Sequence, residues 1–311
     1  MRIIVTGGAG FIGSHITEEL LRRGHSVVVV DDFSAGKEAN LAGMKGRLEV
    51  VRQTITELEP VQKAFRGAEV VFHLAARTSV PRSVADPVES NHANIDGTVN
   101  VLVAARDAKA RRVVYAASSS AYGETPTLPK TEGMRPEPIS PYGVTKYVGE
   151  LYCQVFGRCY GLENVSIRYF NVFGPRQDPG SPYSGVLSRF ITAMLTGDAP
   201  TVFGDGEQSR DFTYVANVVD ATIRASEAAG VSGMVFNGGT GARVTLNQTL
   251  ALLGKISGKP ANAKYEAPRS GDILHSQADV TLARQMLGYV PSVDFEEGLR
   301  RTWEWYKSQQ P

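Results

Sequence analysis

A tyrosine and a lysine four residues apart, Tyr142 and Lys146, are the residues of this sequence best suited to acid–base chemistry. On a helix such a pair shares one face, so the ammonium reaches the site that holds the phenol. A free phenol, with a pKa of about 10, is a poor base at neutral pH, but an adjacent cation lowers that pKa. The spacing predicts a tyrosine base assisted by a lysine; the alternative is a pair that faces solvent.

Three consecutive serines, Ser118, Ser119 and Ser120, follow the apolar run 113–116. In a parallel sheet, the residues that follow the carboxyl end of a strand lie on the ligand side. A serine hydroxyl there can hydrogen-bond the oxygen that the tyrosine deprotonates. The alternative for one or two of the three is turn chemistry.

A glycine-rich loop follows the first apolar run, with Gly7, Gly10 and Gly13 at three-residue spacing and Gly8 inside it. Glycines let the backbone approach a pyrophosphate, and the helix that follows contributes free N–H groups. Asp31, 18 residues after Gly13, stands where an acid accepts hydrogen bonds from an adenosine ribose. A carboxylate there repels a 2′-phosphate, so NAD is favoured over NADP, although the nearby Lys37 weakens that preference.

The elements that carry these residues alternate between strand and helix. Because continuous apolar strands between helices indicate a sheet covered on both faces, we expect a Rossmann-type, doubly wound parallel α/β fold. The predicted strands are 3–6, 27–30, 48–51, 70–74, 113–116 and 165–169, and the predicted helices are 12–23, 59–65, 88–107 and 142–160.

The rhythm changes after Asn171, where the proline- and glycine-rich stretch 174–184 predicts a long loop. We expect an NAD-binding domain over 1–171 with a return segment at 212–238, and a smaller α/β substrate-binding domain over 172–211 and 239–311. The predicted elements of this half are helices at 186–195, 216–229, 246–256 and 295–307 and strands at 200–203 and 234–237.

Composition excludes several classes of function. The 311 residues carry 33 basic and 32 acidic side chains, so neither a basic nucleic-acid footprint nor an acidic tail is present. No apolar run is long enough to span a membrane, and the strand at residue 3 leaves no room for a signal peptide. Cys153 and Cys159 are expected to stay reduced, and the five histidines lack metal-ligand spacing, so we predict a cytoplasmic protein without a metal.

A series of motifs then supports a resemblance that spans nearly the whole chain. The motifs, in order, are TGGAGFIGSH, HLAA, NIDGT, SSSAYG, SPYGVTK, RYFNVFGPRQDP, GDGEQSRDFTYV and RSGDILHSQAD. Together they resemble the extended short-chain dehydrogenase/reductases and, more narrowly, the NAD-dependent nucleotide-sugar 4-epimerases. Bacterial UDP-N-acetylglucosamine 4-epimerases share the serine, RYFNVFG and HSQADVT runs. The resemblance implies interconversion of UDP-glucose with UDP-galactose, and of the two N-acetylated counterparts, through a 4-keto sugar.

The resemblance also implies roles for individual residues. Tyr142 is the expected base for the sugar 4-OH proton, Lys146 the residue that binds the nicotinamide ribose and lowers the tyrosine pKa, and Ser118 the catalytic serine. The expected NAD-binding residues are Gly7, Gly10, Phe11, Ile12, Gly13, Asp31, Asp32, Ser34, Gly36, Thr54, Ile55, Leu74, Ala75, Ala76, Asn94, Tyr142, Lys146 and Tyr169. The expected substrate-binding residues are Ser118, Ser119, Ser120, Asn171, Phe203, Arg210, Arg269, Asp272 and Ser276.

Three positions differ from or match the family pattern in ways that bear on the cofactor or the substrate. Thr54 stands where relatives often carry an aspartate that contacts adenine, and Ser119-Ser120 replaces the acid pair with which related dehydratases expel water. Ser276 matches the position that gates pocket size, where a small residue admits an N-acetyl group, so both sugar pairs are expected.

Alternatives remain open at this stage. UDP-glucuronate 4-epimerase or decarboxylase activity needs a cation for the sugar carboxylate, which Arg77 or Arg82 can supply, and other NAD-dependent nucleotide-sugar epimerases or dehydratases are further candidates. A non-catalytic nucleotide sensor on the same fold is expected to lack the tyrosine, lysine or serine, and all three are present. The resemblance also implies a homodimer in which helices 88–107 and 142–160 form an intersubunit four-helix bundle.

Overall fold

The structure, a computed structural model, describes residues 1–178, 185–268 and 273–310. The strands are β1 (Arg2–Thr6), β2 (Ser26–Asp31), β3 (Arg47–Arg52), β4 (Val70–His73), β5 (Arg112–Ser118), β6 (Glu163–Tyr169), β7 (Asn171–Phe173), β8 (Thr201–Phe203), β9 (Ser209–Arg210), β10 (Phe212–Tyr214), β11 (Met234–Gly238), β12 (Val244–Thr245) and β13 (Lys264–Glu266). The helices are α1 (Phe11–Arg22), α2 (Leu58–Ala64), α3 (Val80–Ala85), α4 (Pro87–Asn91), α5 (Gly97–Asp107), α6 (Pro141–Tyr160), α7 (Val186–Thr196), α8 (Val215–Glu227), α9 (Leu246–Ser257), α10 (Thr281–Leu287) and α11 (Phe295–Ser308).

A seven-stranded parallel sheet forms the centre of the protein, in the order β11-β6-β5-β4-β1-β2-β3. Its inner strands are runs of buried, mostly β-branched residues, such as the SVVVVD sequence of β2, because both faces are covered by helices. The predicted Rossmann-type doubly wound arrangement is confirmed. Residues 234–238 add an edge strand parallel to β6, after the chain has left the sheet and returned.

Two apolar layers hold the helices against the sheet. On one face, Ile16 and Leu20 of α1 pack in the same core as Val219 and Ile223 of α8. On the other face, α2, α5 and α6 contribute a second core, which includes the fully buried Phe65. Since each face is closed by helices, the loops at the carboxyl ends of the strands are left to form a ligand site.

The predicted helix 88–107 is interrupted in the structure. It is divided into α4, a π-helical stretch at His92–Asp96, and α5. The π-helical stretch contains Asn94, whose side chain accepts from the Arg77 N–H at 2.7 Å and donates to Thr145 Oγ1 at 2.9 Å. The local widening of the helix accompanies these buried bonds, and π-bulges often occur at functional sites.

The second half contains short strands, of which β8 matches the strand predicted at 200–203 and the others are too short for periodicity to reveal. The short strands β7, β8, β9, β10, β12 and β13 pair into three two-stranded sheets outside the main sheet. Part of the predicted loop 174–184 lies outside the described residues, which resume at residue 185.

Among the residues that the structure describes, none of the helices is long and apolar enough to cross a membrane. The same described ranges contain no group of three or more His, Cys, Asp or Glu side chains arranged to hold a metal ion. Cys153 is buried, Cys159 is exposed, and both are free thiols.

Candidate active site

The glycine-rich loop between β1 and α1 has no room for side chains. A Cβ at Gly13 would lie 2.1 Å from the Gly7 carbonyl oxygen, and one at Gly7, whose φ is +70°, would lie 2.7 Å from the Ala75 nitrogen. Gly10 caps α1 without a side-chain hydrogen bond, so the first N–H groups of the helix have no side-chain acceptor from the cap. This bare backbone at a helix N-terminus fits the pyrophosphate of a dinucleotide.

Asp31 lies at the end of β2 beside this loop. Its Oδ2 accepts from the Ala9 N–H at 2.9 Å and its Oδ1 from the Phe33 N–H at 2.8 Å. Burial raises the pKa of Asp31, and these two hydrogen bonds act in the opposite direction. Because a carboxylate has about four acceptor positions, the two that remain suit ribose hydroxyls.

Lys37, which weakens the predicted NAD preference, is engaged elsewhere: its Nζ pairs with Asp178 at 3.0 Å. An ammonium that is already paired is less available to a 2′-phosphate. The geometry of Asp31 and Lys37 together therefore fits NAD.

The base candidate, Tyr142, is held at the start of α6. Ser140 caps this helix by accepting from the Gly143 N–H at 3.1 Å, and Pro141 occupies its first turn. The Tyr142 N–H donates to Ser83 Oγ at 3.0 Å, and its carbonyl accepts from Thr145 Oγ1 at 2.9 Å. The backbone of Tyr142 is thus fixed from two sides.

Burial raises the pKa of Tyr142, while a hydrogen bond with Ser118 lowers it. Ser118 is itself fixed, since its Oγ accepts from the Ser120 N–H at 3.1 Å. The structure brings the predicted base and the predicted serine together at the carboxyl end of β5. A phenol in this setting is protonated at neutral pH, so a further positive charge must favour its deprotonation during the reaction.

Lys146 lies on the same face of α6, four residues after Tyr142. It is buried, its Nζ donates to the Ala116 carbonyl at 2.8 Å, and burial lowers its pKa to about 8. Among the described residues, Ser118 is the group that lowers the pKa of Tyr142. The effect of Lys146 on the tyrosine pKa therefore stays a prediction.

A buried ion pair lies one turn beyond Lys146. Glu150 accepts from Arg168 Nε at 2.9 Å and from its Nη2 at 2.7 Å, and both side chains are almost fully buried. The Arg168 guanidinium lies 4.5 Å above the Tyr122 ring. Sequence reasoning missed this pair, because its partners lie on different elements and neither belongs to a local motif that marks a pairing.

We expect Glu150→Gln to shift the pH profile of turnover. The Glu150 carboxylate raises the pKa of the Lys146 ammonium, so its removal lowers that pKa below about 8. The ammonium then loses its proton at lower pH, and the alkaline limb of kcat is expected to move down by about one pH unit.

Glu163→Gln is the matched control for this shift. Glu163 also pairs with a buried arginine, Arg112, at 2.8 Å, but it lies at the far end of β6. Its removal should leave the limb in place. An unchanged limb in a folded Glu150→Gln protein would show that Lys146 is not the group whose protonation limits turnover at high pH.

Several predicted substrate residues surround one cavity beyond the serines. Its described lining residues are Ser119, Ser120, Tyr122, Gly123, Lys130, Phe170, Asn171, Arg210, Ile273, His275 and Ser276. Asn171 Nδ2 donates to Ser276 Oγ at 3.1 Å, and Arg210 Nη1 donates to the Leu274 carbonyl at 3.0 Å. Five predicted residues, from four separate parts of the chain, are therefore neighbours.

Asp211 joins two of these parts, the segments that carry Arg210 and Ser276. Its carboxylate accepts from the N–H groups of Thr240, Gly241 and Ala278, at 2.9, 3.0 and 3.1 Å. It is fully buried and directly follows Arg210. These bonds fix Arg210 relative to the segment that carries Ser276, a role that the sequence alone does not reveal.

The remaining predicted cofactor residues lie at the carboxyl ends of the strands. Phe11 and Ile12 open α1; Asp32, Ser34 and Gly36 follow β2; Thr54 and Ile55 follow β3; Leu74, Ala75 and Ala76 follow β4; Asn94 is in the π-helical stretch; and Tyr169 ends β6. Of the substrate residues, Phe203 ends β8 and is not among the residues that line the cavity. Arg269 and Asp272 lie outside the described residues.

Two further groups have structural explanations. His73, in the HLAA run, lies between Thr6 Oγ1 at 2.8 Å and Thr98 Oγ1 at 3.0 Å, and burial lowers its pKa to about 3, so it stays neutral. Arg77, considered for a sugar carboxylate, pairs with Glu89 at 2.9 Å, and neither Arg77 nor Arg82 is among the described residues of the cavity wall.

Comparison with known proteins identifies a matching family and several similar proteins. Residues 3–239 match the NAD dependent epimerase/dehydratase family. The UDP-glucose 4-epimerase of Mycolicibacterium smegmatis is 40% identical over 99% of both chains. The UDP-N-acetylglucosamine 4-epimerase of Methanobrevibacter ruminantium, solved with UDP-N-acetylmuramic acid, is 39% identical over 99% of both chains with a TM-score of 0.95. The UDP-glucuronic acid 4-epimerase of Bacillus cereus, solved with UDP-glucuronic acid and NAD, is 34% identical over 100% of both chains with a TM-score of 0.93.

Proposed function

The chain belongs to the NAD dependent epimerase/dehydratase family, and we propose that it is a UDP-hexose 4-epimerase that acts on UDP-glucose/UDP-galactose and on UDP-GlcNAc/UDP-GalNAc. One observation carries the proposal: Ser118, which lowers the pKa of Tyr142, donates from its Oγ to Ser120 Oγ at 3.1 Å, and Ser120 lines the cavity together with Asn171, Arg210 and Ser276. A proton acceptor thus adjoins a site with the donors that a nucleotide sugar requires.

The cofactor half of the site is built to hold NAD in one orientation. The backbone of the glycine-rich loop and the N-terminus of α1 bind the pyrophosphate, and Asp31 accepts from the adenosine ribose. Thr54, Ile55, Asn94 and Tyr169 would contact the rest of the dinucleotide, as the resemblance implies. When bound, NAD takes up a hydride from C4 of the sugar and returns it.

The chain's own residues move the proton. Tyr142 takes the proton of the sugar 4-OH, while Ser118 hydrogen-bonds the same oxygen and holds it in line. Lys146 binds the nicotinamide ribose, and its charge favours the phenolate during that transfer. The reverse transfer, from Tyr142 to the 4-keto oxygen after the hexose has turned over, completes the inversion.

The nucleotide stays anchored while the hexose turns. Asn171 and Arg210 hold the diphosphate, together with Arg269, and Phe203 and Asp272 hold the uridine, as the resemblance implies. Guanidinium groups suit phosphate oxygens because of their paired donors. Binding energy from UDP retains the substrate, so the contacts to the hexose are free to break and reform.

The two competing reactions have weaker support. Dehydration needs an acid to expel the C6 hydroxyl as water, and Ser119 and Ser120 cannot serve as that acid. UDP-glucuronate 4-epimerisation or decarboxylation needs a cation for the carboxylate, and Arg77 is already paired with Glu89. Lys130, which lines the cavity, offers a different cation for an acidic sugar.

Product analysis tests the proposed function. Purified protein is incubated with UDP-glucose, UDP-galactose, UDP-GlcNAc and UDP-GalNAc separately, and the products are separated chromatographically. We expect each sugar to yield its C4 epimer. Absence of an epimer from all four incubations would refute the proposal.

We also propose that the chain is a homodimer that pairs through α6 and its neighbours. Val144, Leu151 and Val155 form a helical stripe on α6, each between 41% and 46% exposed. Helices α3 and α4 pack beside α6 and add Val84 and Val88, which are more exposed still. A second copy of this chain would bury this apolar face in a four-helix bundle, as the family resemblance implies.

Val155→Glu is expected to convert the dimer to a monomer, because two charged groups would enter an apolar interface. We expect the dimer dissociation constant, measured by analytical ultracentrifugation, to rise by about a hundred-fold or more. Met286→Glu, at an exposed apolar residue on α10, is the control and should leave the dimer intact. A monomeric wild-type protein, or a Val155→Glu protein that stays dimeric, would exclude this interface.

A further inference from the structure

Lys130 lies beside the segment that carries Ser276. Its N–H donates to the Gln277 carbonyl at 2.8 Å, and its own carbonyl accepts from the Asp279 N–H at 2.8 Å. Lys130 also forms an isolated parallel bridge with Ala278. The backbone of Lys130 is therefore fixed against the residues that shape this wall of the substrate cavity.

Lys130 is almost completely buried, with 3% of the residue exposed. It donates to the Thr125 carbonyl at 2.7 Å and to the Thr125 hydroxyl. Among the described ion pairs, none includes Lys130, and burial lowers its pKa. An ammonium has three N–H donors, so these two bonds leave one donor over.

Both Thr125 acceptors are neutral, and a neutral donor would satisfy them equally well. Burying a charged ammonium is costly unless an oxygen of substantial negative charge compensates it. Lys130 lines the same cavity as Ser119, Ser120 and Ser276. A ligand in this cavity is thus the candidate source of a compensating oxygen.

We propose that Lys130 binds a carbonyl or carboxylate oxygen that projects from the hexose, so that the enzyme prefers UDP-sugars with such a group over UDP-glucose. This inference rests on the proposed function, which makes the cavity the hexose site. Two sources share the required chemistry: the acetamido carbonyl at C2 of UDP-GlcNAc and the carboxylate at C6 of UDP-glucuronate. Both offer an acceptor stronger than a hydroxyl.

Binding measurements on the NAD-loaded protein test the inference. Tyr142→Phe provides a background without turnover, in which calorimetry gives Kd values for UDP, UDP-glucose, UDP-GlcNAc and UDP-glucuronate. We expect UDP-GlcNAc, UDP-glucuronate or both to bind about tenfold more tightly than UDP-glucose, because each can gain one charge-assisted hydrogen bond. Tightest binding of UDP-glucose would overturn the inference, whatever happens to any lysine variant.

Lys130→Met in the same background then identifies the lysine as the source. We expect it to raise the Kd of whichever of UDP-GlcNAc and UDP-glucuronate binds more tightly by about tenfold. The Kd values of UDP and UDP-glucose should change by less than about threefold. Lys259→Met, at an exposed lysine after α9, is the matched control and should change none of the four values. Equal weakening of all four ligands, or of none, would overturn the inference.

The ligand whose affinity falls in Lys130→Met identifies the oxygen that the lysine binds. Loss of affinity for UDP-GlcNAc alone indicates the acetamido carbonyl, and loss of affinity for UDP-glucuronate alone indicates the carboxylate. Failure of the proposed function is seen separately, as absence of C4 epimers in product analysis of the wild-type protein. The order of the Kd values still tests whether Lys130 binds the sugar if no C4 epimer forms.

Discussion

Tyr142→Phe is expected to lower kcat by about a thousand-fold or more on every UDP-hexose that the enzyme converts. The substitution removes the oxygen that takes the 4-OH proton, and general-base catalysis accounts for about 10²- to 10⁴-fold of rate. The ring itself is retained, so the packing of α6 around Tyr142 and the hydrogen bond from its N–H to Ser83 should survive. Steady-state kinetics, with Kd values for the UDP-sugar from calorimetry, checks the expectation.

The loss should appear in kcat and not in binding. We expect the Kd for the UDP-sugar to change by less than about tenfold, since the phenol contributes mainly in the transition state. Tyr152→Phe, at a partly exposed tyrosine on the same helix, is the matched control and should retain activity. An unchanged kcat in Tyr142→Phe would show that Tyr142 is not the base, whereas a wild-type protein that binds UDP-sugars without turnover would be a nucleotide-binding protein without catalysis.

Ser276→Tyr is expected to separate the two sugar pairs. Ser276 Oγ accepts from Asn171 Nδ2 at 3.1 Å, and the residue lines the cavity, so a tyrosine ring there fills space that an N-acetyl group needs. We expect kcat/KM for UDP-GlcNAc and UDP-GalNAc to fall by about a hundred-fold or more, because overpacking a formed site costs several kcal/mol. Turnover of UDP-glucose and UDP-galactose should change by less than about tenfold.

Ser276→Ala separates the effect of bulk from the loss of the hydroxyl. It removes the acceptor for Asn171 but leaves the cavity open, so both sugar pairs should still react. Equal loss on both pairs in Ser276→Tyr would show that Ser276 does not gate the hexose. A loss of N-acetylated turnover in Ser276→Ala would assign the discrimination to the Asn171 hydrogen bond.

Much of the fold follows from local patterns. The buried runs of β1, β2, β4, β5 and β6 were predicted within a few residues, because strands covered on both faces are apolar throughout. The divided helix around Asn94 was not predicted, since hydrophobic periodicity does not report where a side chain bonds a distant backbone. Apart from β8, which the sequence predicts at 200–203, the short paired strands of the second half were not predicted, because two or three residues show no period.

The residues of the candidate site also separate into those predicted from local motifs and those that depend on distant contacts. Tyr142, Ser118, Asp31 and the glycines stand in motifs whose spacing carries the chemistry, and the parallel sheet brings strand ends together. Lys130, Glu150 and Asp211 were not predicted, because their roles depend on partners far away in the sequence. Arg77 shows the converse case, since a cation suggested by the sequence is paired with Glu89 in the structure.

The proposed reaction, oxidation and re-reduction at C4, is tested most directly with UDP-glucose and UDP-GlcNAc that carry deuterium at C4. The hydrogen removed from C4 is the one returned, so UDP-galactose and UDP-GalNAc should form with deuterium still on C4, as measured by mass spectrometry and NMR. Epimers that carry solvent hydrogen at C4, or a dehydrated sugar in place of the epimer, would contradict a 4-epimerase that works through Tyr142 and a retained hydride.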